Sequence, residues 1–168
     1  LSTGGAVMAA KSSTRRKAAT PAWVVLKFGG TSVSSVERWE TIATLLRQRL
    51  AEGLRPVVVH SALATVSNKL DELLHRALEM DVTAQVAGIR ELHLRLAAGL
   101  QVDGEKELGG YFRELEQLLA GIHLIREVSP RIQARVMGLG ELMATRLGAA
   151  YLARVGLKVT WLDARELL

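Results

Sequence analysis

The chain has 168 residues, 49% of them hydrophobic, a mean hydropathy of +0.18, no cysteine and a formal net charge of +5. That size and hydropathy fit one compact domain or a piece of a larger one, and exclude disorder over most of the length. The missing cysteines exclude disulfides, thiolate nucleophiles and Cys-based metal centres and fit a cytoplasmic protein; no apolar run is long enough for a transmembrane helix.

Residues 1–22 carry Lys11, Arg15, Arg16 and Lys17 with no acid and almost no bulky apolar residue. They read as a disordered basic extension or a remnant foreign to the fold. The arm also has the composition of a transit peptide or of a segment that touches phosphates. Outside it the charges nearly balance, so the pI of 10.0 marks a tail and not a nucleic-acid-binding body.

The body, residues 23–168, opens with Trp23-Val-Val-Leu-Lys-Phe28, a short β-forming run before Gly29-Gly30 that reads as a buried strand. Ser34-Ser-Val-Glu37 has the form of a capping box, with Trp39, Ile42, Leu46 and Leu50 following at helical spacing up to Gly53. Pro56-Val-Val-Val-His-Ser61 reads as a second buried strand, which makes a parallel βαβ unit. Three helical stripes follow, carried by Leu70–Leu78, Val82–Leu96 and Leu108–Leu119, the last with Gly109-Gly110 at its start or at a bend. Ser129-Pro130 is an N-cap and first-turn proline that opens a helix running towards Gly156. Leu157-Lys-Val-Thr-Trp-Leu162 reads as a third strand.

Lys27-Phe-Gly-Gly-Thr-Ser32 lies at the carboxyl end of the first strand, where open α/β sheets bind ligands. Two glycines let amides approach an anion closely, Lys27 adds a cation, and Thr31 and Ser32 add hydroxyls. The same residues would also make a plain strand-to-helix turn, and neither a Walker A loop nor G-x-G-x-x-G is present. Ser61-Ala-Leu-Ala-Thr-Val-Ser67-Asn68 ends the second strand at the same edge and offers hydroxyls for a small polar ligand, or a helix N-cap by Thr65 or Ser67. Gly138-Leu-Gly140-Glu141 places two costly glycines within a helix, which suits close approach of another element or a ligand, with Glu141 free to hold an ammonium. His60, His75, His93 and His123 are too scattered for a metal site, no G-x-S-x-G elbow exists, and aromatics are too few for a base-stacking platform.

Taken together, the motifs resemble the N-terminal part of an aspartate kinase, in the amino-acid kinase family. The resemblance rests on Lys27-Phe-Gly-Gly-Thr-Ser-Val33, on Ser61, Ala62, Ser67 and Asn68, on Gly140-Glu-Leu-Met143 and on Trp161-Leu-Asp-Ala-Arg165. It implies an α/β fold with a parallel sheet and helices on both faces, carbamate kinase-like, of which this chain is the N-terminal portion. It implies phosphoryl transfer from ATP, with Mg2+, to the side-chain carboxylate of L-aspartate, giving 4-phospho-L-aspartate. Lys27 would be catalytic; Lys27, Phe28, Gly29, Gly30, Thr31 and Ser32 would bind the nucleotide, and Ser67 and Glu141 the aspartate. The whole protein would be a cytoplasmic homo-oligomer, with no nucleic acid or membrane partner. Related kinases acting on glutamate, acetylglutamate, carbamate or UMP share a looser Lys-x-Gly-Gly core, and a non-catalytic binding module is a further alternative.

Three departures from the family pattern bear on the site. Ser67 stands where threonine is frequent, Ala64-Thr65 where glycine is common, and Gly138-Leu139 where Ser-His is common. Family members continue with a catalytic aspartate, a substrate-binding arginine, the adenine pocket and regulatory domains. The resemblance therefore implies that this segment alone has little or no kinase activity.

Overall fold

The alternating β-formers of Trp23–Phe28 (β1) and Arg55–His60 (β2) pair in parallel, Trp23 opposite Arg55 and Phe28 opposite His60. The computed structural model describes residues 21–166. Residues 1–20 lie outside the described region, and with them nearly all of the basic extension. Ala22 accepts a hydrogen bond from the Arg55 amide at 2.8 Å, which continues the pairing of the two strands one residue before Trp23. A short 3₁₀ turn (Gly30–Val33) and helix α1 (Val36–Ala51) join the strands. Helices α2 (Val66–Ala77), α3 (Thr83–Gly99), α4 (Gly104–Ile125) and α5 (Pro130–Arg154) follow, and a 3₁₀ turn (Ala164–Glu166) closes the described chain.

The βαβ unit forms as its pattern requires, but its strands are not buried on both sides. Val24, Leu26, Phe28, Val58 and His60 face the helices, while Trp23, Val25, Val57 and Val59 are exposed. Arg55 stacks over the Trp23 ring on that open face. Among the described residues the helices cover one face of the strands.

Trp39 organises the covered side. Its indole N–H donates to the Val33 carbonyl at 2.9 Å, and its ring meets His60 and Tyr151 edge-on, at 5.4 and 6.0 Å between centroids. The ring thus joins α1, the end of β2 and α5, with its one polar atom satisfied. Leu70, Leu74, Ile89, Leu108, Phe112, Leu115, Leu139 and Met143 continue the core between the helices. Each fully buried side chain of this size contributes about 2 kcal/mol by removal of apolar area from water. The ion pairs Arg90–Glu105 and Arg146–Glu107 link neighbouring helices at the surface, where each contributes at most about 1 kcal/mol.

The helix boundaries follow local chemistry. Ser129 accepts from the Ile132 amide and Pro130 takes the first helical position of α5, as their order in the sequence predicts. Helix α4 starts at Gly104, where Asp103 accepts from Lys106 N at 3.0 Å, so Gly109-Gly110 lie inside it rather than opening it. Ser34 does not act as a helix cap; α1 begins after Ser35, with no side-chain cap bond.

The expected third strand is absent: Leu157–Leu162 pairs with neither β1 nor β2, and the sheet has two strands among the described residues. A strand is defined by a partner's hydrogen bonds, which β-propensity cannot supply alone. The segment is instead anchored to α5, where Trp161 Nε1 donates to Thr145 Oγ1 at 3.1 Å and Arg146 stacks on the indole.

His93 is fully buried beside Phe112, with Nδ1 on the Ile89 carbonyl at 2.8 Å and Nε2 lacking a partner. Burial lowers its pKa below 6.5, an effect the Ile89 carbonyl only partly opposes. The unfolded chain binds a proton near pH 6.5 and the folded chain does not, so stability falls as pH drops through that value. Between pH 7 and about pH 5 the thermal midpoint should therefore decline, and His93→Leu should flatten the decline. An equal decline in the variant would assign it to other groups.

Candidate functional site

The carboxyl ends of β1 and β2 lie at one edge because the strands are parallel and in register to their last pair. The two loops that leave them are fastened together. Ser61 N donates to the Phe28 carbonyl at 3.2 Å. Ser34 Oγ donates to the Gly30 carbonyl at 2.6 Å and accepts from the Ala64 amide at 2.8 Å. The serine that reads as a helix cap is thus a clasp between the loops, and nothing in its local sequence distinguishes the two roles.

Gly30 is required by this contact. A Cβ there would sit 2.7 Å from the Ala62 carbonyl oxygen and 3.3 Å from the Ala64 amide. Gly29 has no such neighbour. Ser32 N closes the 3₁₀ turn on the Gly29 carbonyl at 2.9 Å, and the Gly30 and Thr31 amides precede that bond. An anion held by this loop would therefore meet the amides of the turn and not the start of α1, which begins six residues beyond Gly30. Lys27 is exposed on the open face of β1, one residue before the edge, and Thr31 is exposed in the turn. Phe28 packs its side chain against the core, so it reaches the edge only through its backbone.

The third motif arrives on α5. A Cβ at Gly140 would lie 3.0 Å from Ala62 Cβ, 3.1 Å from Leu70 Cδ1 and 3.4 Å from Val66 Cγ1. The small residue therefore lets α5 press onto the Ser61–Asn68 segment, whereas Gly138 has no neighbour within 4 Å. Glu141 is exposed next to this contact, and Ser67 is half-buried in the first turn of α2. The Gly30 turn, the Ser61–Asn68 segment and the Gly140-Glu141 stretch of α5 thus meet at one edge, with Lys27 one residue before it on the open face of β1. A separate cleft of about 290 Å³ between α2 and α3, lined by Lys69, Arg76 and Gln85, contains none of these site residues.

His60, the last residue of β2, lies at this edge opposite Phe28. It is 7% exposed, with Nδ1 3.0 Å from the Ser61 carbonyl. Burial holds its pKa below 6.5, opposed by the Ser61 carbonyl and the Glu141 charge. The described residues contain no group of three or more His, Asp or Glu that could hold a metal ion, and no helix long and apolar enough to cross a membrane.

Thr65, at the start of α2, has φ +71° and ψ −15°, left-handed backbone that favours glycine, and its side chain makes no capping bond. Thr65 therefore holds this backbone at a cost of about 1–2 kcal/mol. Thr65→Gly should relieve that strain, less the extra entropy of an unfolded glycine, for a net gain of about 0.5–1 kcal/mol. The thermal midpoint should rise by about 2 °C; a fall would show that the threonine makes a compensating contact.

The sequence model of the amino acid kinase family matches residues 22–168. Aspartokinase 2, chloroplastic, of Arabidopsis thaliana is 40% identical over 151 residues, which cover 85% of this chain and 27% of that protein. The bifunctional aspartokinase/homoserine dehydrogenase 1, chloroplastic, of the same plant is 32% identical over 154 residues, covering 87% of this chain and 17% of that protein. Escherichia coli aspartokinase III, solved in complex with aspartate and ADP, superposes with a TM-score of 0.72 at 25% identity, over 86% of this chain and 31% of that one. The chain spans about a quarter of the length of the three Arabidopsis thaliana aspartokinases it matches and about a sixth of the bifunctional relatives.

Proposed function

The chain belongs to the amino acid kinase family, and we propose that the whole protein carrying it transfers a phosphoryl group from ATP to the side-chain carboxylate of L-aspartate. The product is 4-phospho-L-aspartate, which feeds lysine, threonine and methionine biosynthesis. The observation that carries this reading is the clasp of the Gly30 turn onto the Ala62–Ala64 backbone by Ser34, with α5 pressed against the same segment at Gly140. It supports the reading because it brings the Gly30 turn, the Ser61–Asn68 segment and the part of α5 that carries Glu141 together.

In this reading the amides of the Gly30 turn and the hydroxyls of Thr31 and Ser32 hold phosphate oxygens, and Lys27 offsets negative charge on the transferring group. The Ser67 hydroxyl donates to a substrate carboxylate, and Glu141 accepts from the substrate ammonium. Such holding is most of what phosphoryl transfer asks of a protein, since its barrier falls chiefly through positioning and charge stabilisation. Mg2+ bound with the ATP would be held mostly by phosphate oxygens and water and would neutralise phosphate charge. A homo-oligomer in the cytoplasm, without membrane or nucleic-acid partners, completes the proposal.

A coupled ADP-release assay on the whole protein tests it, with L-aspartate, L-glutamate, N-acetylglutamate and UMP as separate acceptors. Turnover with aspartate at least tenfold above the others is the expected result. Preference for another acceptor would move the protein elsewhere in the family, and ATP binding without turnover on any acceptor would make it a binding module.

A further inference from the structure

The cleft between α2 and α3 lies apart from the edge where the three motifs meet. Its volume of about 290 Å³ is close to the lower end of the range for small-molecule sites, about 300–1,000 Å³. One wall is α2, where Lys69, Glu72 and Arg76 fall at i, i+3 and i+7 and so share a helix face. The other wall is α3, with Gln85 and, one turn on, Gly88. A Cβ at Gly88 would meet nothing within 4 Å, so this part of the wall stays open. Leu73 and Ile89, both buried in the core, make the base apolar.

The polar groups on the two walls have opposite needs. Among the described residues no acid pairs with Lys69, and Arg76 donates to Glu72 at 3.2 Å. Gln85 Oε1 is buried with no hydrogen-bond partner. An unpaired buried carbonyl oxygen is unfavourable, and with no bond to hold it the amide is free to turn towards a donor in the cleft. We propose that this cleft is a second ligand site, which binds a small zwitterion: an ammonium and a carboxylate joined by a short aliphatic body. The carboxylate goes to Lys69 and Arg76, the ammonium to Gln85 Oε1 and the exposed Glu72 carboxylate, and the aliphatic part lies over Leu73 and Ile89. A simple anion would leave Gln85 without a donor, and a simple amine would leave Lys69 without an acceptor, so the site asks for both charges in one molecule.

Calorimetric titration of the whole protein with 4-aminobutanoate tests this, with L-aspartate held in excess to compete at the edge described above. The expected result is saturable binding with a Kd of about 1 mM or below, and binding at least about tenfold weaker for butanoate and for butylamine, which carry one charge each. Lys69→Ala and Gln85→Leu should each weaken binding by at least about tenfold, and Gly88→Leu, which fills the cleft, should abolish it. Gln85→Leu removes an unpaired buried oxygen, so its melting midpoint should not fall, and lost binding is thereby separated from lost folding.

No saturation by about 20 mM, or equal affinity for butanoate, would overturn the proposal. Binding that survives Lys69→Ala and is lost in Glu141→Ala would put the zwitterion at the other edge and overturn it as well. These titrations use no turnover, so their outcome is independent of which acceptor the protein phosphorylates.

Discussion

Lys27→Ala is expected to lower aspartate-dependent turnover of the whole protein by about 10²- to 10³-fold, the usual loss when one preorganised charge is removed from a site that stabilises developing negative charge. Lys27 is exposed, so its removal leaves no buried hole and the melting profile should be unchanged. KM for aspartate should also change little, because Ser67 and Glu141 reach the edge from other elements. Lys27→Arg keeps the charge but spreads it over a planar fork, and partial activity is expected. A Lys27→Ala enzyme within about threefold of the parent would remove Lys27 from the transition state and weaken the case for the loop as a whole.

The largest effect on stability should come from Gly148→Ala. A Cβ at this buried position of α5 would lie 2.1 Å from Trp39 Cη2 and 2.7 Å from Cζ2. Trp39 cannot give way easily, since its N–H is bonded to Val33 and its ring is enclosed by His60 and Tyr151. Overpacking of this severity costs about 3 kcal/mol, against about 1 kcal/mol gained in helix propensity. The net loss of about 2 kcal/mol should lower the thermal midpoint by about 4–8 °C. Gly138→Ala, on the same helix with open space around it, should raise the midpoint instead. Equal effects at the two positions would show that α5 does not rest on Trp39 as described.

The βαβ unit, the glycine turn after β1 and the α5 start were legible because each depends on residues close in sequence. Trp23–Phe28 before Gly29-Gly30, and Ser129 before Pro130, state their structure locally. What was not legible depends on partners distant in the chain. Leu157–Leu162 has strand composition but no strand to pair with among the described residues, and it rests on α5 instead. Alternation within Trp23–Phe28 could not show that one face would stay open, because Val24 and Val25 are alike in type. Ser34 has a capping residue's identity, but Ala64, thirty residues on, decides its use. Gly140 signalled close approach, correctly, whereas Gly138 beside it met nothing, so glycine in a helix marks contact only where another element arrives. His60 on its strand reads like any other core residue until the Trp39 ring is placed against it.

The central claim is that these separate motifs make one site for phosphorylating aspartate. The most direct test is the steady-state kinetics of Glu141→Ala in the whole protein, with aspartate and ATP varied independently. Loss of one charged hydrogen bond to the ammonium should raise KM for aspartate by about 10- to 100-fold while KM for ATP stays within about twofold. An unchanged KM for aspartate, or equal losses for both substrates, would contradict the assignment of α5 to the amino-acid side of the site.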